Sequence, residues 1–184
     1  MKIYKYDNYD DYVKAQVEAN VIKINNVWVK KSTVEKIHKM QPFAGKILCH
    51  GTRNAAEQNF FKSFYPAAEI LGTEISHTAT QFPMTIQHDF HEDMNNGEWD
   101  IIYSNSFDHA YDPEKALTAW KKQLASGGSI YLEHMLDQNN RTRRWDPLQI
   151  SAKELFKLID SLGMKVLGKF ETAKVLSTVY RISL

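Results

Sequence analysis

The residues best suited to chemistry lie between Lys46 and Glu74, in the stretch KILCHGTRNAAEQNFFKSFYPAAEILGTE. A short apolar run leads into the turn Cys49-His50-Gly51-Thr52-Arg53-Asn54, and a second run, Ala68–Gly72, leads to the carboxylate of Glu74. Between them Ala56, Phe60, Phe61 and Phe64 recur at helical spacing, and Tyr65-Pro66 breaks the helix. Strand, glycine turn, helix, strand and acid form a βαβ unit of the kind that holds a nucleoside. In doubly wound folds the turn and helix N-terminus face the ligand's polar tail, and the carboxylate takes the ribose hydroxyls. Glu74 stands 23 residues beyond Gly51, near the ~20 expected of that acid. The turn has one glycine where dinucleotide binders have three, so this motif alone does not decide the ligand.

Other reactive groups sort quickly. His88-Asp89-Phe90-His91-Glu92-Asp93, with His77 upstream, collects metal-ligating side chains. Neighbouring residues at a strand end point in different directions, and no regular ligand spacing is present, so no metal is expected. A nucleophilic triad is disfavoured because no Gly-x-Ser-x-Gly elbow exists. The single cysteine, Cys49, lies in an apolar run, which makes packing its default role. Arg141, Arg143, Arg144 and Trp145 fall in the polar loop Asp137–Pro147. They form either a solvated basic loop or a clamp for a carboxylate or phosphate acceptor, with Trp145 as a stacking wall.

These groups must be positioned by a modest chain. Its 184 residues suit one domain with a sizeable core. A net charge of +1 gives no global field for nucleic acid or membrane, so nucleic acid is not an expected partner. No apolar run approaches the ~18 residues of a membrane span, and MKIYKYDNYDDY has no apolar signal-peptide core. A soluble, cytoplasmic protein is the expectation, in the host cytoplasm if the source is viral.

Residues 1–45 read as an N-terminal helical lid or extension, and residues 46–184 as the ligand-binding domain. Within the first, Asp10–Asn20 is a helix with Val13 and Val17 on one face, and Lys23–Val29 holds an Asn-Asn turn between β-prone runs. Ser32 caps a helix over Thr33–Met40, with Glu35 completing a capping box. Beyond Glu74 come a short helical turn at His77–Gln81, strands at Met84–Gln87 and Trp99–Tyr103, and a turn at Asn95-Asn96-Gly97. Asp112-Pro113 opens the next helix and Gly127-Gly128 closes it before the strand Ser129–Glu133. Ser151 and Glu154 cap the last helix, and the runs Lys165–Phe170 and Lys174–Ser183 pair as an antiparallel hairpin. The fold class is α/β: a doubly wound, mostly parallel sheet with a C-terminal antiparallel hairpin.

The segment Asp100–His134, DIIYSNSFDHAYDPEKALTAWKKQLASGGSIYLEH, resembles the fourth-to-fifth-strand region of class I S-adenosylmethionine-dependent methyltransferases. An apolar strand, a small-polar loop with a histidine, Asp-Pro opening a helix, and Gly-Gly before the next strand follow in that family's order. The resemblance covers residues ~45–184 and implies a Rossmann-like methyltransferase fold with S-adenosylmethionine as cofactor. It places His50-Gly51-Thr52 at the turn facing the methionine part and Glu74 at the ribose, with Ile75 beside the adenine. It also implies Asp89 at the adenine amino group with Phe90 nearby, and Asn105 and Ser106 in the loop after the fourth strand. The family usually has an acid and more glycines in the first motif; the Cys-x-Gly-x-Arg form here is similar to small, phage-like members. In that form Arg53 pairs with Glu57 or with the methionine carboxylate.

The implied activity is methyl transfer to an oxygen or nitrogen of a small-molecule acceptor. Positioning supplies most of the rate, and a base is needed only where the nucleophile loses a proton. His109 is the first candidate for that base and His134 the second; each has an equally good reading as a histidine that only hydrogen-bonds. Two rivals remain: a catalytically degenerate module that binds a nucleoside, and an NAD-dependent reductase, which the missing glycines and the antiparallel ending disfavour. Acceptor identity and oligomeric state are not written in the sequence.

Overall fold

The computed structural model describes residues 1–95, 98–135, 142–174 and 176–184. In chain order the elements are β1 (Lys2–Ile3), α1 (Tyr9–Ile22), α2 (Lys31–Met40), β2 (Lys46–His50), α3 (Ala56–Phe64), β3 (Glu69–Glu74), β4 (Thr85–Gln87), β5 (Trp99–Ser104), α4 (Pro113–Gln123), β6 (Leu124–Met135), β7 (Leu148–Gln149), α5 (Ala152–Ser161), β8 (Lys165–Glu171) and β9 (Ser177–Ser183). Short 3-10 turns occupy His77–Gln81 and Phe107–His109.

Seven strands form one sheet in the order β4-β3-β2-β5-β6-β9-β8. The first five are parallel, and β9 inserts antiparallel between β6 and β8. The doubly wound sheet and the closing hairpin are as the sequence implies. The central strands are apolar on both faces because helices cover both. Leu48, Ile102, Ile130 and Leu132 face a core shared with Leu117 and Trp120 of α4 and Leu155 and Ile159 of α5. Ile47, Cys49, Ile101 and Tyr103 face the other, with Val34 and Ile37 of α2 and Phe61 of α3. Cys49 is free and fully buried.

Local signals succeed where a cap satisfies a helix end. Asp112 accepts from Lys115 N at 3.0 Å with Pro113 in the first turn, and Ser151 and Glu154 complete a capping box. They fail where tertiary contacts dominate. Residues 23–29 form a turn and loop with no strand. Helix α2 starts at Lys31 with no side-chain cap, and Glu35 pairs with Lys39 at 2.7 Å. The buried face of α1 is Tyr12, Ala15, Gln16, Ala19 and Asn20; Val13 and Val17 are only partly covered. Gly127-Gly128 lies in an irregular stretch of β6, where the pairing jumps from Trp99–Leu124 to Ile101–Ser129. The pair β1–β7, antiparallel, ties the N-terminus to the loop before α5. Of the turn at Asn95-Asn96-Gly97, only Asn95 falls in the described residues. No helix among them is long and apolar enough to cross a membrane.

Candidate functional site

Winding reverses between β2 and β5, whose carboxyl ends lie side by side with His50 paired to Ser104. Doubly wound sheets bind ligands outside such a switch point, because the loops there diverge and leave a crevice. Gly51 opens the crevice. Its φ is +70°, and a Cβ built on it would stand 2.7 Å from Ser106 Cβ. Ser106 Oγ donates to Gly51 O at 2.9 Å, locking the β2 and β5 loops together. The glycines absent from the motif are replaced by left-handed Arg53 (φ 45°) and Ala55 (φ 61°), so the turn survives with a different sequence.

Two clefts meet at Gly51, Arg53, Ser106 and His109. The smaller, with about 460 Å3 of open space, has Glu74, Ile75, Asp89 and Phe90 on its sheet side and Tyr12, Gln16 and Asn20 of α1 opposite. The larger, about 970 Å3, has Thr52, Glu57, Asn105, Asp108, Arg143 and Asp146 in its wall. Glu74 sits at the tip of β3, where its oxygens accept from Arg53 N and Ser76 N, each at 3.0 Å. A carboxylate oxygen accepts more than one hydrogen bond, so both keep capacity for ribose hydroxyls. Asp89 is more heavily engaged: Oδ1 takes His91 N and Nδ1 at 3.0 and 2.6 Å, and Oδ2 takes Tyr9 Oη–H at 2.8 Å. Burial would raise the Asp89 pKa, but the hydrogen bonds and charge of His91 outweigh it and the net shift is downward.

Arg53 and Glu57 do not pair with each other. Arg53 Nε and Glu57 Oε2 are buried without a hydrogen-bond partner, as is Asn20 Nδ2. Glu57 Oε1 accepts from Asn105 Nδ2 at 3.2 Å. Its burial pushes the carboxyl up to about 7. A buried orphan donor beside a buried orphan acceptor fits a zwitterionic amino-acid end, with Arg53 for its carboxylate and Glu57 for its ammonium.

His109 stands where the clefts join, and its tautomer follows from its neighbours. Gln16 Nε2 donates to the Trp145 carbonyl at 3.3 Å, so Gln16 Oε1 is the atom 2.8 Å from His109 Nδ1. Nδ1 therefore carries the hydrogen, and Nε2 presents its lone pair. That lone pair lies 3.9 Å from both Asp108 Oδ1 and Asp146 Oδ1.

Several expected site residues lie elsewhere. The His50 ring is buried between Thr73 Oγ1 and Gln123 Oε1, both at 2.9 Å, and stacks on Trp120; burial lowers its pKa to about 3. It borders neither cleft, so at His50 the expected cofactor contact becomes a packing contact. His134 also points away: alternation along β6 puts Glu133 and Met135 on the cleft, while His134 Nε2 meets Ile150 O at 2.9 Å. Arg144 turns from the cleft to α1, meeting Asp11 at 2.9 Å and Glu18 at 2.8 Å. Trp145 donates to the same Glu18 at 3.3 Å. Of the described members of that set, only Arg143 borders the larger cleft; Arg141 lies outside the described residues. Asp108, Asp146 and the α1 wall were missed. A signal for the wall existed: Tyr12, Gln16 and Asn20 recur every four residues, a polar stripe on one helix face.

The sequence matches no protein-family model and no curated protein sequence. Solved structures do match, along the length of the chain. The Burkholderia thailandensis 1,6-didemethyltoxoflavin-N1-methyltransferase, solved with S-adenosylhomocysteine, superposes with a TM-score of 0.77 at 10% identity, covering 97% of this chain and 91% of that one. Magnesium protoporphyrin IX methyltransferase from Synechocystis PCC 6803 gives 0.64 at 10% identity over 97% and 99%. The glycopeptide N-methyltransferase MtfA, with bound S-adenosylmethionine, gives 0.65 at 9% identity over 84% and 93%. The chain therefore has the fold of the class I S-adenosylmethionine-dependent methyltransferases.

Proposed function

We propose that the protein transfers a methyl group from S-adenosylmethionine, its nucleoside in the smaller cleft and its amino-acid end entering the larger one, to an oxygen or nitrogen of a small acceptor in the rest of the larger cleft. The observation that carries this reading is the meeting of two clefts at Gly51, Ser106 and His109, over the switch point of the sheet. Solved neighbours with the same fold carry bound S-adenosylmethionine or S-adenosylhomocysteine. Glu74 takes the ribose, Ile75 and Phe90 flank the adenine, and Asp89 takes its amino group beside Tyr9. Arg53 and Glu57 hold the amino-acid end, and Thr52, Asn105 and Ser106 wall it in.

When bound, the cofactor supplies an electrophilic methyl group on a sulfonium. The residues here orient the acceptor, exclude water and place a base. Transfer needs no covalent help from the protein, so holding nucleophile and methyl in line provides most of the acceleration. His109 Nε2, a lone pair at the border of the two clefts, takes the acceptor's proton. Arg143 gives the larger cleft a cationic edge suited to an anionic acceptor, while Lys174 in the same wall is paired with Glu133 at 2.7 Å. Residues 1–45 act as a lid, because α1 contacts the loops after β3, β4 and β5 through Asn20–Thr78, Tyr9–Asp89 and Gln16–His109.

The test is a thermal-shift and calorimetric comparison of S-adenosylhomocysteine with NAD. A ligand that binds only the folded chain raises the melting temperature by mass action. A rise with S-adenosylhomocysteine and none with NAD is expected. Silence at millimolar S-adenosylhomocysteine removes the reading. Tight binding with no turnover against an acceptor panel favours a binding module instead.

A further inference from the structure

Asp108, His109 and Asp146 converge on one point of the larger cleft, their ligand atoms all within 4.8 Å of one another. They come from two separate loops, the turn after β5 and the segment before β7, which only the fold brings together. We propose that these three side chains form a divalent-cation site facing the acceptor. The inference rests on reading the larger cleft as the acceptor site, and it moves the His109 Nε2 lone pair from the acceptor's proton to a metal.

Three observations support it. First, the hydrogen bond from Nδ1 to Gln16 leaves Nε2 as the ring nitrogen that faces both carboxylates. A divalent cation among them would join all three ligand atoms at once. One nitrogen and two carboxylates are a ligand set that suits Mn2+ and related ions. The 3.9 Å separations are somewhat wide for a small octahedral ion and close with slight loop movement.

Second, among the described residues neither Asp108 nor Asp146 has a lysine or arginine ion-pair partner, although Arg53, Arg143 and Lys174 border the same cleft. Third, the wall of that cleft includes Glu57, 5% exposed, with Oε2 buried and unpartnered. A polar partner is therefore wanted in this part of the cleft, whether the cofactor's ammonium or a water carried by the cation. Gln16 already plays the outer-shell part for His109 that metal-bound histidines require, accepting from the ring nitrogen that does not ligate. A cation so placed would chelate an acceptor through oxygen and acidify a hydroxyl beside the methyl group.

The experiment uses the full chain, stripped with chelator and titrated with Mn2+. Free Mn2+ is read by its paramagnetic resonance signal, with Mg2+ as competitor. A single Mn2+ ion per chain is expected, with nitrogen modulation on the bound spectrum from one imidazole. Asp108→Asn and Asp146→Asn should each weaken Mn2+ by roughly tenfold or more, since even outer-shell losses cost 10–100-fold. His109→Gln should abolish the nitrogen modulation. Both aspartate side chains are over a third exposed, so the isosteric changes leave folding intact. No Mn2+ binding by the wild-type chain, or binding unchanged in both asparagine variants, overturns the site. Binding of S-adenosylhomocysteine is measured on the same samples. If it persists where Mn2+ fails, the cation site falls while the methyltransferase reading stands. If S-adenosylhomocysteine fails and the three variants still lose Mn2+, the cation site stands without that reading.

Discussion

Tyr9 donates its hydroxyl to Asp89 Oδ2 at 2.8 Å, so a helix at the start of the chain holds a carboxylate on the loop after β4. This hydrogen bond takes one of the acceptor positions on the oxygen that the proposed adenine amino group would share. Tyr9→Phe keeps the ring against Tyr12 and Tyr111 and removes only the competing donor. The expected result is tighter S-adenosylhomocysteine binding, by about 1 kcal/mol, the net value of one hydrogen bond. Calorimetry checks it. Weaker binding in the variant would mean that Tyr9 belongs to the closed, ligand-bound site.

Gly51→Ala should fail on two counts. A left-handed residue other than glycine costs roughly 1–3 kcal/mol, and its Cβ meets Ser106 Cβ at 2.7 Å. Chemical denaturation should show the loss. Adding Ser106→Gly should recover the steric part but not the backbone part. If the double variant is no better than the single, the collision is not where the structure puts it.

Glu57 makes stability depend on pH in an unusual direction. Burial raises its folded pKa from 4.5 to about 7, against smaller opposing effects of its own backbone, Asn105, Arg53 and Lys174. The folded chain therefore holds a proton that the unfolded chain releases between those values. Stability from this group is complete below pH 4.5 and is lost as pH rises through about 7. The loss is on the order of 3 kcal/mol. Glu57→Gln cannot titrate, so relative to wild type it should lose this decline over that window, keep the opposing rise from His50, and be the more stable protein at pH 8. Parallel pH profiles for the two proteins would refute the assignment.

Glu74→Gln tests the ribose contact more cleanly than alanine. Glutamine keeps an acceptor for Arg53 N or Ser76 N, whereas alanine strands both buried donors. Affinity for S-adenosylhomocysteine should fall by roughly 1–3 kcal/mol through lost charge-assisted bonds. Unchanged affinity with an unchanged melting temperature would remove the ribose from the end of β3.

Arg144 illustrates why loop residues resist reading from sequence. Three arginines in one polar loop look alike, and only their neighbours tell them apart. Arg143 borders the larger cleft, while Arg144 is held by Asp11 and Glu18, more than a hundred residues away. His50 and His134 carry the same lesson. A histidine at a strand end is named by the sequence, but whether its ring enters the cleft or the core depends on strand pleat and on which helix covers that face.

What the sequence by itself determined was the framework: the βαβ unit from Lys46 to Glu74, the Asp112-Pro113 helix start, the Ser151 cap and the antiparallel ending. These signals are local, written in periodicity and in side chains that bond their own backbone, so they survive without knowledge of the rest. From them the sheet and the positions of Gly51 and Glu74 follow, and the family resemblance adds Asp89 and Ser106. Tertiary structure alone decided what closes the site. The polar stripe of α1, the left-handed Arg53 and Ala55 that stand in for missing glycines, and the meeting of Asp108, His109 and Asp146 all join residues far apart in the chain. Their free energies come from burial, from fixed hydrogen bonds and from charges brought close, none of which exists until the loops at the switch point have been folded onto one another.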